Sequence, residues 1–285
     1  MTVSREIIRA AYEDACRQEI DALKPGNVHR FADGHRMTTE QFLTSARVSS
    51  APLTDSELSL GSRIREAVRA TRDAVGTNTN LGIVLLCAPL AAAAAMEGAD
   101  LRANLRRVLD AIDLDDTAAV FEAIVLASPG GLGEAPKHDV HERPTAGLLE
   151  AMREASGRDR IGSQYVTGFA DIFEAGLPAV WAAVARGEHG MWPAVHAYLE
   201  FLTAFPDSHI LRKHGAEIAE AVRAEATSVR REFQAAGDEK TRIEVLLAFD
   251  ARLKARDINP GTSADLTVAC LLVHNLGAHL AKAPG

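Results

Sequence analysis

The sequence predicts an all-α fold, a single globular bundle of about ten helices in which residues 1–285 form one domain. Hydrophobic residues make up 47% of the chain and aromatic residues only 5%, a balance typical of helices packed on helices. Apolar residues also recur at helical spacing along most of the chain, and no stretch shows a convincing strand pattern. A chain of 285 residues can bury a sizeable core.

The helical pattern begins near the N-terminus, where Ile8, Ala11, Tyr12 and Ala15 share one face of a helix over residues 4–24. No charge-rich or Ser/Pro-rich linker divides the chain, and no internal repeat is present, so we expect no separate domains. The same periodicity predicts further helices at about residues 62–75, 101–112, 117–127, 145–155, 163–186, 193–205, 210–235, 239–256 and 263–281.

The most apolar segment is Leu81–Met96, which contains Pro89. At about 16 residues it is too short to span a membrane comfortably, so we expect a central helix buried on all sides. The N-terminus is charged from Arg5 onward and has no apolar signal segment. We therefore expect a cytoplasmic protein with no membrane partner. Whether it forms a homo-oligomer is left open.

Charge argues against a protein that binds polymeric nucleic acid, and the cysteine pattern argues against disulfides or a zinc site. The net charge is −8 and no basic stripe with interleaved aromatic residues is present, so polymeric nucleic acid is not an expected partner. A small nucleotide needs only local positive charge and stays open as a partner. Cys16, Cys87 and Cys270 lie on apolar helical patterns, which predicts buried free thiols in a reducing compartment.

Polar loops interrupt the predicted helices and contain the candidate site residues. Four of them, at residues 24–37, 76–82, 128–144 and 257–265, are rich in Gly, Asn, Pro, Asp and His. A fifth polar stretch covers residues 207–215. Because helical enzymes usually build a site from loops and helix ends on one face, we expect these segments to converge.

The first motif, KPGNVH, ends the first helix. Pro25 stops the helix, and Gly26 allows the backbone to approach a ligand closely. Lys24 supplies a positive charge suited to phosphate, while Asn27 and His29 supply directional hydrogen bonds. The alternative is a helix C-cap followed by a turn.

The second motif, GTNTNLG, stands directly before the buried helix. Thr77, Asn78 and Asn80 can cap that helix, and its N-terminus offers free N–H groups and partial positive charge for an anion. Capping explains one such residue but not a run of them, because polar side chains near a core need partners. This motif therefore favours a ligand-binding role.

The third motif, NPGTSADL, opens the last helix and contains Asn259, Ser263 and Asp265. Its Thr-Ser-Ala-Asp spacing fits a capping box with Asp in place of Glu. Capping alone therefore accounts for the pattern. The alternative is that Asp265 holds a metal ion or accepts a proton.

The fourth motif, HDVHERP, contains Asp139 and follows the Gly-rich residues 129–133. Its spacing fits no standard zinc site. Because Mg²⁺ prefers oxygen ligands shared with phosphates, a carboxylate that holds Mg²⁺ on a triphosphate is the more plausible function. The alternative is a solvated loop.

The fifth motif, DSHILRKHG, places Asp207 where it can cap a helix. Arg212 and Lys213 follow within the next turns, and Arg is well suited to bidentate phosphate binding. A capped helix with solvated charges is the alternative explanation.

Taken together, the five motifs resemble the triphosphoribosyl-dephospho-CoA synthase family over about residues 10–280. KPGNVH, GHRM at Gly34–Met37, GTNTNLG, DSHILRKHG and NPGTSADL resemble conserved segments of that family in the same order. Asn80 and Leu81 replace its His and Lys, and His29 replaces its usual Asp. KPGNVH and DVHERP are closer to the variant found in archaea and in bacteria that use methanopterin cofactors.

The resemblance implies a catalytic domain that uses ATP as substrate, with Mg²⁺. The 2′-hydroxyl of 3′-dephospho-CoA attacks C1 of the ATP ribose, adenine leaves, and the triphosphate stays attached. It implies that Asp139, Asp207 and Asp265 are metal ligands or the general base, with His29 as a second base candidate. The implied nucleotide- and phosphate-binding residues are Lys24, Gly26, Asn27, Thr77, Asn78, Asn80, Arg212, Asn259 and Ser263.

Two alternatives remain at this stage. One is a related enzyme of pterin or other cofactor biosynthesis with a different acceptor, and the other is a non-catalytic nucleotide-binding helical protein. Both enzyme hypotheses require the key polar residues to line one cavity, whereas scattered positions would exclude them. The residues chosen for this criterion are Lys24, Asn78, Asp139, Asp207 and Asp265.

Overall fold

The computed structural model describes residues 2–35, 37–128 and 139–280, and it confirms the all-α prediction. These residues contain 14 α-helices and one π-helical turn, somewhat more than the predicted ten. In chain order the elements are α1 (Arg5–Asp21), α2 (Thr39–Leu53), α3 (Leu60–Val75), α4 (Leu81–Ala94), α5 (Leu101–Asp110), α6 (Leu114–Ala127), α7 (Leu148–Ala155), α8 (Arg160–Thr167), the π turn (Ile172–Gly176), α9 (Leu177–Ala185), α10 (Trp192–Ala204), α11 (Ser208–His214), α12 (Ala216–Ala235), α13 (Glu239–Ala255) and α14 (Gly261–Leu280).

Two apolar helices, α4 and α14, form the centre of the bundle and pack on each other. Most of the residues of α4 are buried, which confirms the prediction of a central helix, and the helix continues through Pro89. Around this pair, α3 and α5 contact α4, while α1 and α10 contact α14. Both helices are apolar on nearly all sides. The polar residues at their N-termini therefore cannot belong to the apolar core and need polar surroundings.

The helix α2 was not predicted, and its composition explains why. Its buried face carries Ser45, Ser49 and Ser50 rather than a run of large apolar residues. The hydroxyls of Ser45 and Ser49 donate to main-chain carbonyls one turn earlier, so these polar groups are satisfied inside the bundle. The helix begins with a capping box in which Thr38 and Gln41 bond each other's backbone N–H.

Two long predicted helices, at residues 163–186 and 210–235, are each broken in the structure. Gly168 ends α8 with φ of 63°, and Phe169 follows with φ of 61°. Gly215 separates α11 from α12 with φ of 88°. Since glycine adopts positive φ without steric cost, each break occurs where the chain can turn most easily.

The cysteine prediction is confirmed, since Cys16, Cys87 and Cys270 are free and buried. Within the residues described, no single helix is long and apolar enough to cross a membrane. The bent pair Arg160–Thr167 and Ile172–Ala185, with 89° between its halves, meets the length and composition criteria together.

Candidate active site

A cavity of about 700 Å³ opens where the N-termini of α4, α8 and α14 converge. Such a volume is within the range of small-molecule sites. It is bordered by the loops before α4 and α14, by α11 and by the C-terminal end of α1. The charged and amide side chains that line it include Glu19, Asn27, Asn78, Asn80, Asp139, Asp159, Arg212, Lys213, Asn259 and Asp265.

One wall of the cavity is apolar. It is built largely from α6 and α7, together with parts of α4 and α8. Its side chains include Ile83, Leu85, Phe121, Ile124, Leu148, Met152 and Ile161. The cavity therefore combines a surface suited to a flat organic ring with polar groups suited to phosphate and sugar.

The loop before α4 shows why GTNTNLG contains so many polar residues. The Asn78 side chain accepts a hydrogen bond from the N–H of Leu81 (3.1 Å) and so caps the first turn. Asn80 donates to Ser49 (3.3 Å) on α2, which fixes the loop to the neighbouring helix. Thr77, Asn78 and Asn80 all line the cavity, as predicted for a site, while their ligand role stays a prediction.

Asp207 is buried and caps two helices at once. Its Oδ1 accepts hydrogen bonds from the N–H groups of His209 (2.9 Å) and Ile210 (3.2 Å) in α11. Its Oδ2 accepts from the N–H (2.7 Å) and hydroxyl (2.8 Å) of Ser263 in α14. Neither Asp207 nor Ser263 lines the cavity. The two residues hold the helix ends in place behind it.

Asp265 lines the cavity beside the N-terminus of α4. Its Oδ2 would be 2.1 Å from a Cβ built on Gly82, so this carboxylate lies against the first turn of α4. Neither oxygen accepts a hydrogen bond within the described residues. Burial, and then the nearby carboxylates of Glu19 and Asp207, raise the pKa of Asp265 well above its usual value.

Arg212 faces the cavity from α11. Its Nη1 donates to Asp159 Oδ2 (2.7 Å), and Asp159 in turn caps α8 through the N–H of Ile161 (2.8 Å). The Nε atom of Arg212 is buried and has no hydrogen-bond partner. Since a buried unpaired donor is costly, this atom marks a place where a ligand oxygen would bind.

Three further cavity residues, His35, His209 and Lys213, were not chosen as site residues from the sequence. Burial, and then the neighbouring cation of Arg212, lower the pKa of His209 to about 4, so its ring is neutral at pH 7. Lys213 pairs with Asp257 (2.9 Å), which also contacts His35 (3.2 Å). The sequence signals for these positions were the segment GHRM, which contains His35, and the motif DSHILRKHG, which contains His209 and Lys213.

Lys24 is fully buried and does not line the cavity. Its ammonium group donates to Glu19, to Asn27 Oδ1 (3.0 Å) and to the carbonyl of Val28 (2.8 Å). All three ammonium donors are therefore used inside the protein, which leaves none for phosphate. The structure thus replaces the predicted phosphate contact by an internal one.

The amide groups of Asn27 and Asn259 continue this network into the cavity. Asn27 accepts from Lys24 through Oδ1 and donates through Nδ2 to Asn259 Oδ1 (2.8 Å). Both asparagines line the cavity, as predicted. With its oxygen occupied, Asn259 is left with its amide N–H groups for a ligand, because no described residue accepts from them.

Gly26 and His29 lie outside the cavity lining. Gly26 adopts φ of 84°, and a Cβ there would be 2.8 Å from Pro260 Cδ, so this glycine allows two loops to pack closely. His29 is fully buried, with Nε2 3.3 Å from Asp250 but without hydrogen-bond geometry. Burial lowers the pKa of His29. Its role as a second base stays a prediction.

Asp139 lines the cavity, and its Oδ1 accepts from the N–H (2.9 Å) and Nδ1 (2.8 Å) of His141. The Gly-rich residues 129–133 and His138 lie outside the described residues. In the part of the chain that is described, no three His, Cys, Asp or Glu side chains gather closely enough to hold a metal ion. Asp139 and Asp265 line the cavity whereas Asp207 does not, and the metal-binding role of these three carboxylates stays a prediction.

The enzyme hypotheses required five polar residues to line one cavity. Asn78, Asp139 and Asp265 do so, whereas Lys24 and Asp207 do not. Of all the predicted site residues, eight line the cavity: Asn27, Thr77, Asn78, Asn80, Asp139, Arg212, Asn259 and Asp265. The other five are not in its lining: Lys24, Gly26, His29, Asp207 and Ser263. Of these five, Lys24, Gly26 and Asp207 hydrogen-bond directly to the lining residues Asn27, His35 and His209.

The chain is similar to known proteins over most of its length. The family model CitG, described as ATP:dephospho-CoA triphosphoribosyl transferase, matches residues 5–283. A crystal structure of a candidate triphosphoribosyl-dephospho-CoA synthase from Archaeoglobus fulgidus is 25% identical in sequence, with a TM-score of 0.64. The match covers 83% of this chain and 97% of that one. No curated protein matches the chain significantly.

Proposed function

The chain belongs to the ATP:dephospho-CoA triphosphoribosyl transferase family, and from that premise we propose how its cavity carries out the reaction. The enzyme is a transferase that joins the triphosphoribosyl group of ATP to 3′-dephospho-CoA and releases adenine. One observation carries the assignment of the site: Asp265, Arg212 and three helix N-termini face the same cavity.

We propose that the triphosphate binds between Arg212, Lys213 and the first turn of α4. The buried Nε of Arg212 has no protein partner, and Lys213 supplies a second cation on the same helix. Helix N-termini add partial positive charge and N–H donors. These groups offset the high negative charge of a triphosphate, although the chain as a whole has a net charge of −8.

The adenine ring fits the apolar wall formed by α6 and α7, where Phe121 and Met152 face the cavity. The ribose then lies between this wall and the polar groups, beside Asn259. In that position C1 of the ribose is within the part of the cavity that Asp265 lines.

Asp265 is suited to give a proton to the departing adenine. Its raised pKa, which follows from burial and from Glu19, keeps the carboxyl group protonated at a higher pH than usual. A carboxylic acid held in this way is a general acid. Departure of adenine leaves an oxocarbenium-like carbon, which the nearby negative charges stabilise.

Mg²⁺ fits this site only together with the triphosphate. Mg²⁺ is usually held by one or two carboxylates, with phosphate oxygens and water completing its shell. Asp139 is the cavity carboxylate that we propose for this role, because it lines the cavity whereas Asp207 does not. When bound, the ion would neutralise part of the triphosphate charge and help to orient it.

The test is an adenine-release assay with ATP, Mg²⁺ and 3′-dephospho-CoA. We expect adenine release that depends on the acceptor, and its loss in Arg212→Met and Asp265→Asn. Arg17→Met is the matched control, since Arg17 is exposed on α1 and pairs with Asp14. Adenine release only with a different acceptor would support the related cofactor enzyme. Nucleotide binding without any turnover would support a non-catalytic protein.

A further inference from the structure

Glu19, which the sequence did not single out, occupies an unusual position at the C-terminal end of α1. Only 3% of the residue is exposed, yet it lines the main cavity. It also borders a second, much smaller cavity beside Tyr12 and Cys16. A buried carboxylate at the edge of a polar site needs a physical reason, because charge burial is costly.

Lys24 supplies the compensating charge. Its ammonium group contacts Glu19 Oε1, and Glu19 is its carboxylate partner among the described residues. Oε2 of Glu19 accepts no hydrogen bond in the same set of residues, so half of the carboxylate is left for a ligand. A buried ion pair rarely adds stability over an apolar pair, which favours a functional reason for keeping it here.

Glu19 and Asp265 share the cavity but have opposite surroundings. Glu19 contacts a cation, whereas no described cation pairs with Asp265. Two carboxyl groups with contrasting surroundings in one site divide into an ionised group and a protonated one. On this ground Glu19 is the group able to accept a proton.

We infer that Glu19 is the general base that deprotonates the acceptor hydroxyl, and that Lys24 is a positioning residue that keeps Glu19 ionised. This inference rests on the proposed function. The acceptor O–H bond breaks as its oxygen bonds C1 of the ribose, and the proton moves to Glu19. The C–N bond to adenine breaks, its electron pair leaves with adenine, and adenine takes a proton from Asp265.

The groups that face Glu19 determine how the enzyme responds to pH. Burial raises the pKa of Glu19, and Lys24 opposes that rise. The other titratable neighbours are Cys16 on the same helix, Tyr198 on α10 and Asp265 on α14. Since Cys16 and Tyr198 have their pKa values raised by burial, both stay neutral while Glu19 titrates.

The first test uses Glu19→Gln, which keeps the shape and removes the basic group. Loss of a general base lowers kcat by about 10²- to 10⁴-fold, while the KM for ATP stays within about threefold. Glu13→Gln, at a half-exposed position of the same helix outside the cavity lining, is the control and keeps full activity. A folded Glu19→Gln enzyme with kcat within threefold of the natural protein would overturn the inference.

The second test uses Lys24→Met and the pH profile of kcat/KM. Without the cation the pKa of Glu19 rises, so the acid limb moves to higher pH and activity recovers as pH increases. An equal loss at every pH would show a merely structural role and overturn the positioning assignment. If Glu19→Gln fails to fold, the pH profile of Lys24→Met still tests whether Glu19 is the general base.

If the natural enzyme released no adenine with 3′-dephospho-CoA, the proposed function would fail first, and the base assignment with it.

Discussion

Gly82→Ala tests the central contact of the site, the approach of the α4 N-terminus to Asp265. In an ordinary helix this change is favourable by up to about 1 kcal/mol, because alanine is the better helix former. Here the new Cβ would lie 2.1 Å from Asp265 Oδ2 and 2.8 Å from Ile161 Cδ1. Real Cβ contacts stay beyond 3.0 Å, so the carboxylate must move by roughly 0.9 Å.

We expect this displacement to affect catalysis more than stability. A shift of about 1 Å in a catalytic group can cost roughly 10²-fold in rate, whereas overpacking costs about 1–3 kcal/mol, partly offset by helix propensity. The free energy of unfolding is measured by urea denaturation, and kcat by adenine release. Gly277→Ala in α14 is the matched control, since a Cβ there meets nothing within 4 Å.

The Gly82 prediction fails in one clear way. If Gly82→Ala were as active as Gly277→Ala, Asp265 would tolerate displacement and could not be the proton donor proposed for adenine. Loss of activity in both variants would instead indicate a general effect of alanine in these helices.

Three further substitutions distinguish residues that stabilise the fold around the site from residues that bind substrate or take part in the reaction. Asp207→Ala removes caps from two helices and leaves buried N–H groups unpaired, which should lower the free energy of unfolding by about 3 kcal/mol in urea titrations. Arg212→Met should raise the KM for ATP by about 10- to 100-fold with a smaller effect on kcat, and an unchanged KM would rule out the phosphate role. Asp265→Asn should abolish turnover yet raise the melting temperature. Because the pKa of Asp265 is raised on folding, its ionisation destabilises the native state as pH rises above the unfolded value, so the gain in melting temperature should grow with pH. A gain that shrank with pH would contradict the burial of this carboxyl group.

The sequence predicted the helical class and the central helix well, because both depend on local apolar periodicity. It missed α2, since Ser45 and Ser49 occupy the buried face and satisfy their hydroxyls within the helix. It also merged helices that Gly168 and Gly215 divide. Periodicity detects apolar faces, and it carries little information about buried polar faces or single-residue breaks.

The convergence of the polar loops on one cavity was expected from the sequence, whereas the contacts of several candidate residues were not. The polar loops converge as expected, because loops at helix ends on one side of a bundle meet there. The roles of Lys24 and Asp207 depended on partners that spacing could not reveal. Asp207 bonds Ser263, 56 positions away, and Lys24 bonds Glu19, which lies inside a regular helix and carries no motif signal.

The archaeal or methylotroph-type variant of the family and the role of each site residue stay predictions. The departures at Asn80, Leu81 and His29 have different structural settings. His29 does not line the cavity, so the replacement of the family's usual Asp at this position does not change the cavity lining. Asn80 and Leu81 line the cavity, so a difference in acceptor specificity from other family members would depend on these two positions.

The most direct measurement is the mass of the product formed from ATP labelled with ¹³C in the ribose, in the presence of Mg²⁺ and 3′-dephospho-CoA. The predicted product carries the labelled ribose and all three phosphates on the acceptor, and one free adenine accompanies each product molecule. A labelled ribose that stays attached to adenine, with phosphate groups released or transferred instead, would contradict the account.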